Sequence, residues 1–285
     1  MKRKKIDRKL LGIIFKLMRE QPWLESLNDE LLYLLEECSY ERQQALILEL
    51  LNRFVYLDDS KANHLLENAT TQIFDVWGLE HEKTQIVAMT YDDSPDSAQS
   101  VLWRIKPLLA KINKQPKLVN KLGRAVKNIE ACPNIILLDE FAGTGKTLAN
   151  RVKQLRSDIR NYFSNKGYSF EVSIRAILLS GMENSKPIID DLDIAYFCPN
   201  WLQKGIAHNY SGKKLKIAYK DMLKLESKLA NEVSGRSLPS LGYGRAEALY
   251  YQDHCNLPNS VFPVFWWPKS FDGSTRTPLL FRFQE

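Results

Sequence analysis

The chain has 285 residues, 44% of them hydrophobic, 11% aromatic and 26% charged, a composition that fits a folded globular protein and excludes disordered, collagen-like and disulfide-scaffold classes. The formal net charge of +6 is concentrated at the start, where Lys2, Arg3, Lys4, Lys5, Arg8 and Lys9 against Asp7 leave a net five, so a basic field over the whole surface is excluded. Cys38, Cys132, Cys198 and Cys255 lie far apart without a C-x-x-C pair and read as reduced, mostly buried thiols; no stretch approaches eighteen apolar residues, and Lys16 interrupts the signal-like start, so a cytoplasmic protein with no membrane partner is expected.

Leu10, Leu11, Ile14, Phe15, Leu17 and Met18 recur at helical spacing, and Pro22 ends that helix. Asn28 stands as an N-cap before Leu31, Leu32, Leu34 and Leu35, and a third helix runs from about Tyr40 through Ala45, Ile47, Leu48, Leu50 and Leu51. Asp58, Asp59 and Ser60 break the pattern ahead of Leu65, Leu66, Ile73, Phe74 and Trp77. Residues 1–80 thus read as a small helical domain with a basic leader. A winged-helix or other helix-turn-helix unit is compatible with it, and no recognition helix rich in Arg, Asn or Gln stands out. A protein or nucleic-acid partner is expected to dock here.

Residues 81–285 change character. Gln85 to Met89 is strand-like and opens into an oxygen-rich loop, Thr90 to Ser97, with Asp92, Asp93, Asp96 and Ser97. Asp96 or Ser97 then caps a helix with Val101, Leu102, Ile105, Leu108 and Leu109 on its apolar face. Ile135 to Leu138 is a four-residue apolar run suited to a strand buried on both faces, followed by Asp139 and Glu140. Helical spacing resumes at Leu148, Val152, Leu155, Ile159 and Tyr162. Residues 170–179 and 192–198 read as further strands and residues 213–230 as a surface helix. The alternation predicts an α/β fold with a mainly parallel, doubly wound sheet.

The stretch between strand and helix carries the chemistry. Asp139 and Glu140 fall at the carboxyl end of the strand, where open α/β sheets bind ligands. Ala142, Gly143, Thr144, Gly145, Lys146 and Thr147 form a small turn that can aim backbone N–H groups at a phosphate, with the following helix dipole behind it. Carboxylates for sugar hydroxyls and amides for a phosphate therefore adjoin. Gly145, Lys146 and Thr147 also match the second half of a P-loop, but Glu140 occupies the place of its first glycine. Further on, Gly242 and Gly244 permit close backbone approach around Tyr243, Asn256 and Asn259 flank Pro258 in a turn whose amides can meet a polar ligand, and an apolar run continues to Trp267.

The cradle resembles the thirteen-residue phosphoribosyl-pyrophosphate (PRPP) motif of type I phosphoribosyltransferases. With Ser94-Pro-Asp-Ser97, Leu241-Gly-Tyr-Gly244 and Asn256-Leu-Pro-Asn259 ahead of Trp266, the set resembles a divergent phosphoribosyltransferase-like effector family of prokaryotic conflict and anti-phage systems, including retron-type defence loci. The resemblance implies that Asp139 and Glu140 hold the ribose 2- and 3-hydroxyls and its developing positive charge, and that residues 142–147 hold the 5-phosphate. It implies Mg2+ among Asp92, Asp93 and Asp139, and substrate contacts from Asp96, Ser97, Tyr243, Asn256 and Asn259. One departure stands out: where the family places a basic residue beside a glycine against pyrophosphate, this loop is acidic. Three readings follow: a transferase acting on PRPP or a related nucleotide, a non-catalytic nucleotide sensor or partner-binding module of the same fold, and a P-loop-type nucleotide hydrolase.

Overall fold

The computed structural model describes residues 8–90, 97–168 and 170–283. In chain order the helices are α1 (Arg8–Glu20), α2 (Asn28–Glu36), α3 (Glu41–Asn52), α4 (Asp59–Thr71), α5 (Ser97–Lys111), α6 (Leu122–Ala125), α7 (Lys146–Lys166), α8 (Lys186–Asp190) and α9 (Gly212–Glu226). The strands are β1 (Val55–Leu57), β2 (Thr84–Ala88), β3 (Lys117–Val119), β4 (Asn134–Ala142), β5 (Ser173–Met182), β6 (Ala195–Phe197), β7 (Asn200–Leu202), β8 (Glu232–Val233), β9 (Arg236–Ser237) and β10 (Tyr250–Gln252). They divide between two units, one formed by Met1–Tyr56, Lys204–Tyr251 and Leu257–Glu285, the other by Leu57–Gln203 and Gln252–Asn256.

The second unit is built on a six-stranded sheet in the order β3-β2-β4-β5-β6, with β7 also pairing β5, and every pairing is parallel. Side chains alternate between faces along each strand. Ile86, Ala88, Ile136, Leu138, Ile177 and Leu179 share a core with α4 and α5 on one face. Val87, Ile135, Leu137, Ala176 and Leu178 share the other with α6 and α7. Both faces are covered, which is why Ile135 to Leu138 form an uninterrupted apolar run with no exposure. β3 lies on one side of β2 and β4 on the other, so the winding reverses between β2 and β4. The crevice at the carboxyl ends of these two strands is the topological switch point, where ligands of doubly wound sheets bind.

In the first unit α3 packs against α9. The Arg42 Nε is 2.8 Å from an Asp221 carboxylate oxygen, and the Gln43 amide donates to the Asp221 carbonyl at 3.3 Å. Ile47, Leu50, Leu51, Phe54, Phe262 and Phe265 are buried, with Phe54 and Phe265 edge to face at 6.0 Å. Buried Arg276 holds the Glu37 carboxylate with two bonds of 2.6 and 2.7 Å and donates to the carbonyls of Val264 and Trp267. The amino-terminal helices thus share a core with the carboxyl-terminal segment, and α4 goes with the sheet. The division does not follow a cut at residue 80.

Local details also differ from the sequence expectations. Asn28 is the first residue of α2, not its cap, and its amide donates back to the Glu25 carbonyl at 3.4 Å. Asp58 does more than end a helix: its carboxylate accepts the Lys61 N–H at 2.9 Å and caps α4. The strand at β1, inside the stretch read as all helical, pairs with β10.

Candidate functional site

β4 continues past its apolar run through Asp139 and Glu140 and stays paired with β5 as far as Ala142, opposite Gly181. Asp139 is half-buried and its Oδ1 accepts the Glu140 N–H at 2.9 Å. Glu140 is only 5% exposed. The two carboxylates therefore stand side by side in sequence at the carboxyl end of the central strand, on the switch-point crevice.

Three residues, Gly143 to Gly145, link β4 to α7. Gly145 has φ 76° and ψ −11°, left-handed backbone that a side chain disfavours. A Cβ at this position would also stand 3.2 Å from the Ser185 carbonyl oxygen and 3.4 Å from Ile188. The helical ladder starts where Ala149 N–H donates to the Gly145 carbonyl at 3.0 Å, so the N–H groups of the first helical turn point out of its end. Lys146 and Thr147 are exposed there. Across 21 residues of α7 the aligned peptide dipoles put partial positive charge at this end. Arg151, one turn further on, donates through Nε to the Met89 carbonyl at 3.1 Å and ties α7 to the end of β2.

Other groups gather at the acid pair without any local sequence signal. Cys255, in the short Gln252–Asn256 segment of the same unit, has its thiol pushed up to about 12, first by burial and then by the Glu140 carboxylate, with Asp139 adding to the rise. The Ser100 hydroxyl, its hydrogen-bond partner, and the Arg104 guanidinium pull the other way. The Gln252 amide donates to its sulfur at 3.3 Å. Ser100, Arg104 and Cys255 thus join Asp139 and Glu140 in one neighbourhood. Residues 40 and 115 positions from Glu140 in the chain give no pattern that would reveal it.

The remaining expected residues are spread over both units. Ser97 opens α5 at the end of β2; Asp92, Asp93 and Asp96 lie outside the described residues. Asn256 is exposed and belongs to the sheet unit. Tyr243 and Asn259 belong to the first unit, where the Tyr243 N–H donates to the Asn259 carbonyl at 2.8 Å. Gly242 does permit a close approach, but to protein backbone: a Cβ there would sit 1.9 Å from the Ser260 carbonyl oxygen. Trp266 is a core residue whose indole N–H donates to the Val261 carbonyl at 3.0 Å. All four cysteines are free thiols. Among the described residues no group of three or more His, Cys, Asp and Glu could hold a metal by itself, and no helix is long and apolar enough to cross a membrane.

The family model PRTase-CE matches residues 37–282. Among solved structures, the chain is similar to orotate phosphoribosyltransferase from Aeropyrum pernix at 16% identity with a TM-score of 0.29, over 50% of this chain and 70% of that one. A search of curated proteins finds no match. The matched residues run through the acid pair, the Gly143 to Gly145 turn and the whole parallel sheet, and the chain therefore belongs to the PRTase-CE family, with a phosphoribosyltransferase-like α/β fold.

Proposed function

We propose that the chain binds PRPP or a related ribose-5-phosphate nucleotide at the end of β4. The observation that carries this reading is the juxtaposition, at the switch point, of Asp139 and Glu140 with a glycine turn opening a long helix. The carboxylates would accept hydrogen bonds from the ribose 2- and 3-hydroxyls, and the N–H groups of residues 144–147 would donate to the 5-phosphate. Transfer would break the bond between C1 of the ribose and pyrophosphate, which leaves with the electron pair, and the acid pair would stabilise positive charge on the ring while a nucleophile bonds to C1.

Mg2+ usually takes one or two carboxylates and completes its shell from substrate phosphates and water. Asp139, half-buried with one oxygen held by the Glu140 N–H, suits that mode. The ion would neutralise the departing pyrophosphate. The P-loop reading fits less well, because Phe141 and Ala142 lie inside β4 where a P-loop requires a wrapping loop.

Phosphorus NMR of PRPP incubated with the purified protein and Mg2+ tests turnover. Pyrophosphate release that disappears in Asp139→Asn, Glu140→Gln supports a transferase, and binding without release supports a nucleotide sensor. The resemblance of the sequence motifs to effectors of prokaryotic conflict systems also motivates a role in anti-phage defence of the retron type. Plaque formation on cells carrying the wild-type locus, compared with the same double variant, checks it; equal plaquing would contradict a defence role for this site.

A further inference from the structure

A second feature of the sheet unit lies outside the cradle. Trp103 is 72% exposed on the outer face of α5, although tryptophan is among the residues most buried on average. It borders a groove of about 690 Å3 lined by α4, α5 and His254. Lining residues run from Ser100 to Ala110 along α5, about 15 Å at the helical rise, longer than one nucleotide needs.

The charges in the groove are not symmetrical. Asp59, the one acid among the described residues that line it, is engaged by Arg104 at 3.0 Å and approached by His254 at 3.8 Å. Arg104 is further fixed by the Asp59 carbonyl and the Asn63 side chain. Among the described lining residues Lys106 therefore leaves a net positive charge, and its ammonium stands over the Trp103 ring, 5.1 Å from the centroid. A largely exposed indole beside a cation that has no ion-pair partner among the described residues, with Pro107 and Ala110 as an apolar wall, is the pairing that single-stranded nucleic acids use: a base on the ring and a phosphate on the cation. At the inner end Ser100 meets Cys255, beside Glu140 and Asp139, so the groove leads toward the acid pair.

We propose that this groove binds a short single-stranded nucleic-acid segment, with a base stacked on Trp103, a phosphate on Lys106, and one end of the strand directed toward Asp139 and Glu140. Strand binding is scored on its own, so the groove stands or falls separately from PRPP binding.

The test is fluorescence anisotropy of labelled single-stranded DNA and RNA of about ten nucleotides, within the range one such platform covers, titrated with the full chain at several salt concentrations. Trp103→Ala is expected to weaken binding about five- to hundredfold, with Trp103→Phe keeping most of the affinity. Lys106→Ala is expected to reduce the slope of log affinity against log salt by about 0.7. Circular dichroism confirms that each variant is folded, and a PRPP titration of the same variants is expected to be unchanged. The proposal is overturned if the folded parent binds no oligonucleotide, if Trp103→Ala binds as tightly as the parent, or if a mononucleotide binds as tightly as the strand.

Discussion

Gly145→Ala probes the turn in front of α7, and its effect can be worked out against a control on the same helix. Gly145 and Gly167 flank α7, both with left-handed backbone, at φ 76° and 74°. An alanine in that region costs about 1–2 kcal/mol. At Gly167 a new Cβ meets nothing within 4 Å, whereas at Gly145 it meets the Ser185 carbonyl oxygen at 3.2 Å. That oxygen is backbone, and Ser185 is anchored by its own hydroxyl to the Met182 carbonyl at 2.7 Å, so the turn rather than the neighbour must give. Gly167→Ala should cost about 1 kcal/mol and Gly145→Ala about 2, or roughly 2–4 °C and 4–8 °C in Tm. Displacing the N–H groups of the first turn should also weaken PRPP binding about tenfold in Gly145→Ala, the loss of one charge-assisted hydrogen bond, and leave it unchanged in Gly167→Ala. Thermal denaturation and calorimetric titration read the two effects. If both variants lost the same stability and bound PRPP equally, the assignment of this turn as a tightly packed phosphate cradle would be refuted.

Three further outcomes are expected. Arg276→Met leaves Glu37 and two buried carbonyls without the guanidinium that holds them and should cost about 3–5 kcal/mol in urea denaturation; a cost under about 1 kcal/mol would contradict that role. Hydrogen bonds from Lys166 first, then Tyr168 and Tyr162, hold the Glu130 carboxyl down at about 2 against an ordinary 4.5. Because the folded value is depressed, this contribution is present above pH 4.5 and is lost as pH falls toward 2; acid titration of Tm in the parent and in Glu130→Gln should diverge only above that window. Burial pushes the Cys38, Cys198 and Cys255 thiols up to about 12, so iodoacetamide at pH 8 should modify them slowly in the native protein and all four cysteines rapidly in urea. Rapid native labelling of any of these three would contradict their burial.

Which parts could be read from the chain follows from how local their causes are. The β4 run was readable because a central parallel strand covered on both faces must be apolar throughout, and α7 because its buried residues keep a 3.6 period. β3, with only Lys117, Leu118 and Val119, is too short to show a period at all. The joining of amino- and carboxyl-terminal segments rests on contacts such as Arg276 to Glu37, 239 residues apart, which no pattern signals. Within the site, the acid pair and the Gly145 turn announced themselves because strand end, turn and helix are contiguous. Cys255, Ser100 and Arg104 did not, since only the fold brings them to Glu140. Gly242 was read as a place of close approach, and what approaches is the Ser260 carbonyl, which nothing in a Gly-Tyr-Gly triplet identifies.

Isothermal titration with PRPP in the presence of Mg2+, run on the wild-type chain and on Asp139→Asn, Glu140→Gln, tests the proposed ribose-phosphate site most directly. The site described here predicts micromolar binding in the wild type that is lost in the double variant while its Tm stays close to the parent's. PRPP binding of equal strength in both proteins, or heat from ATP and none from PRPP, would contradict it.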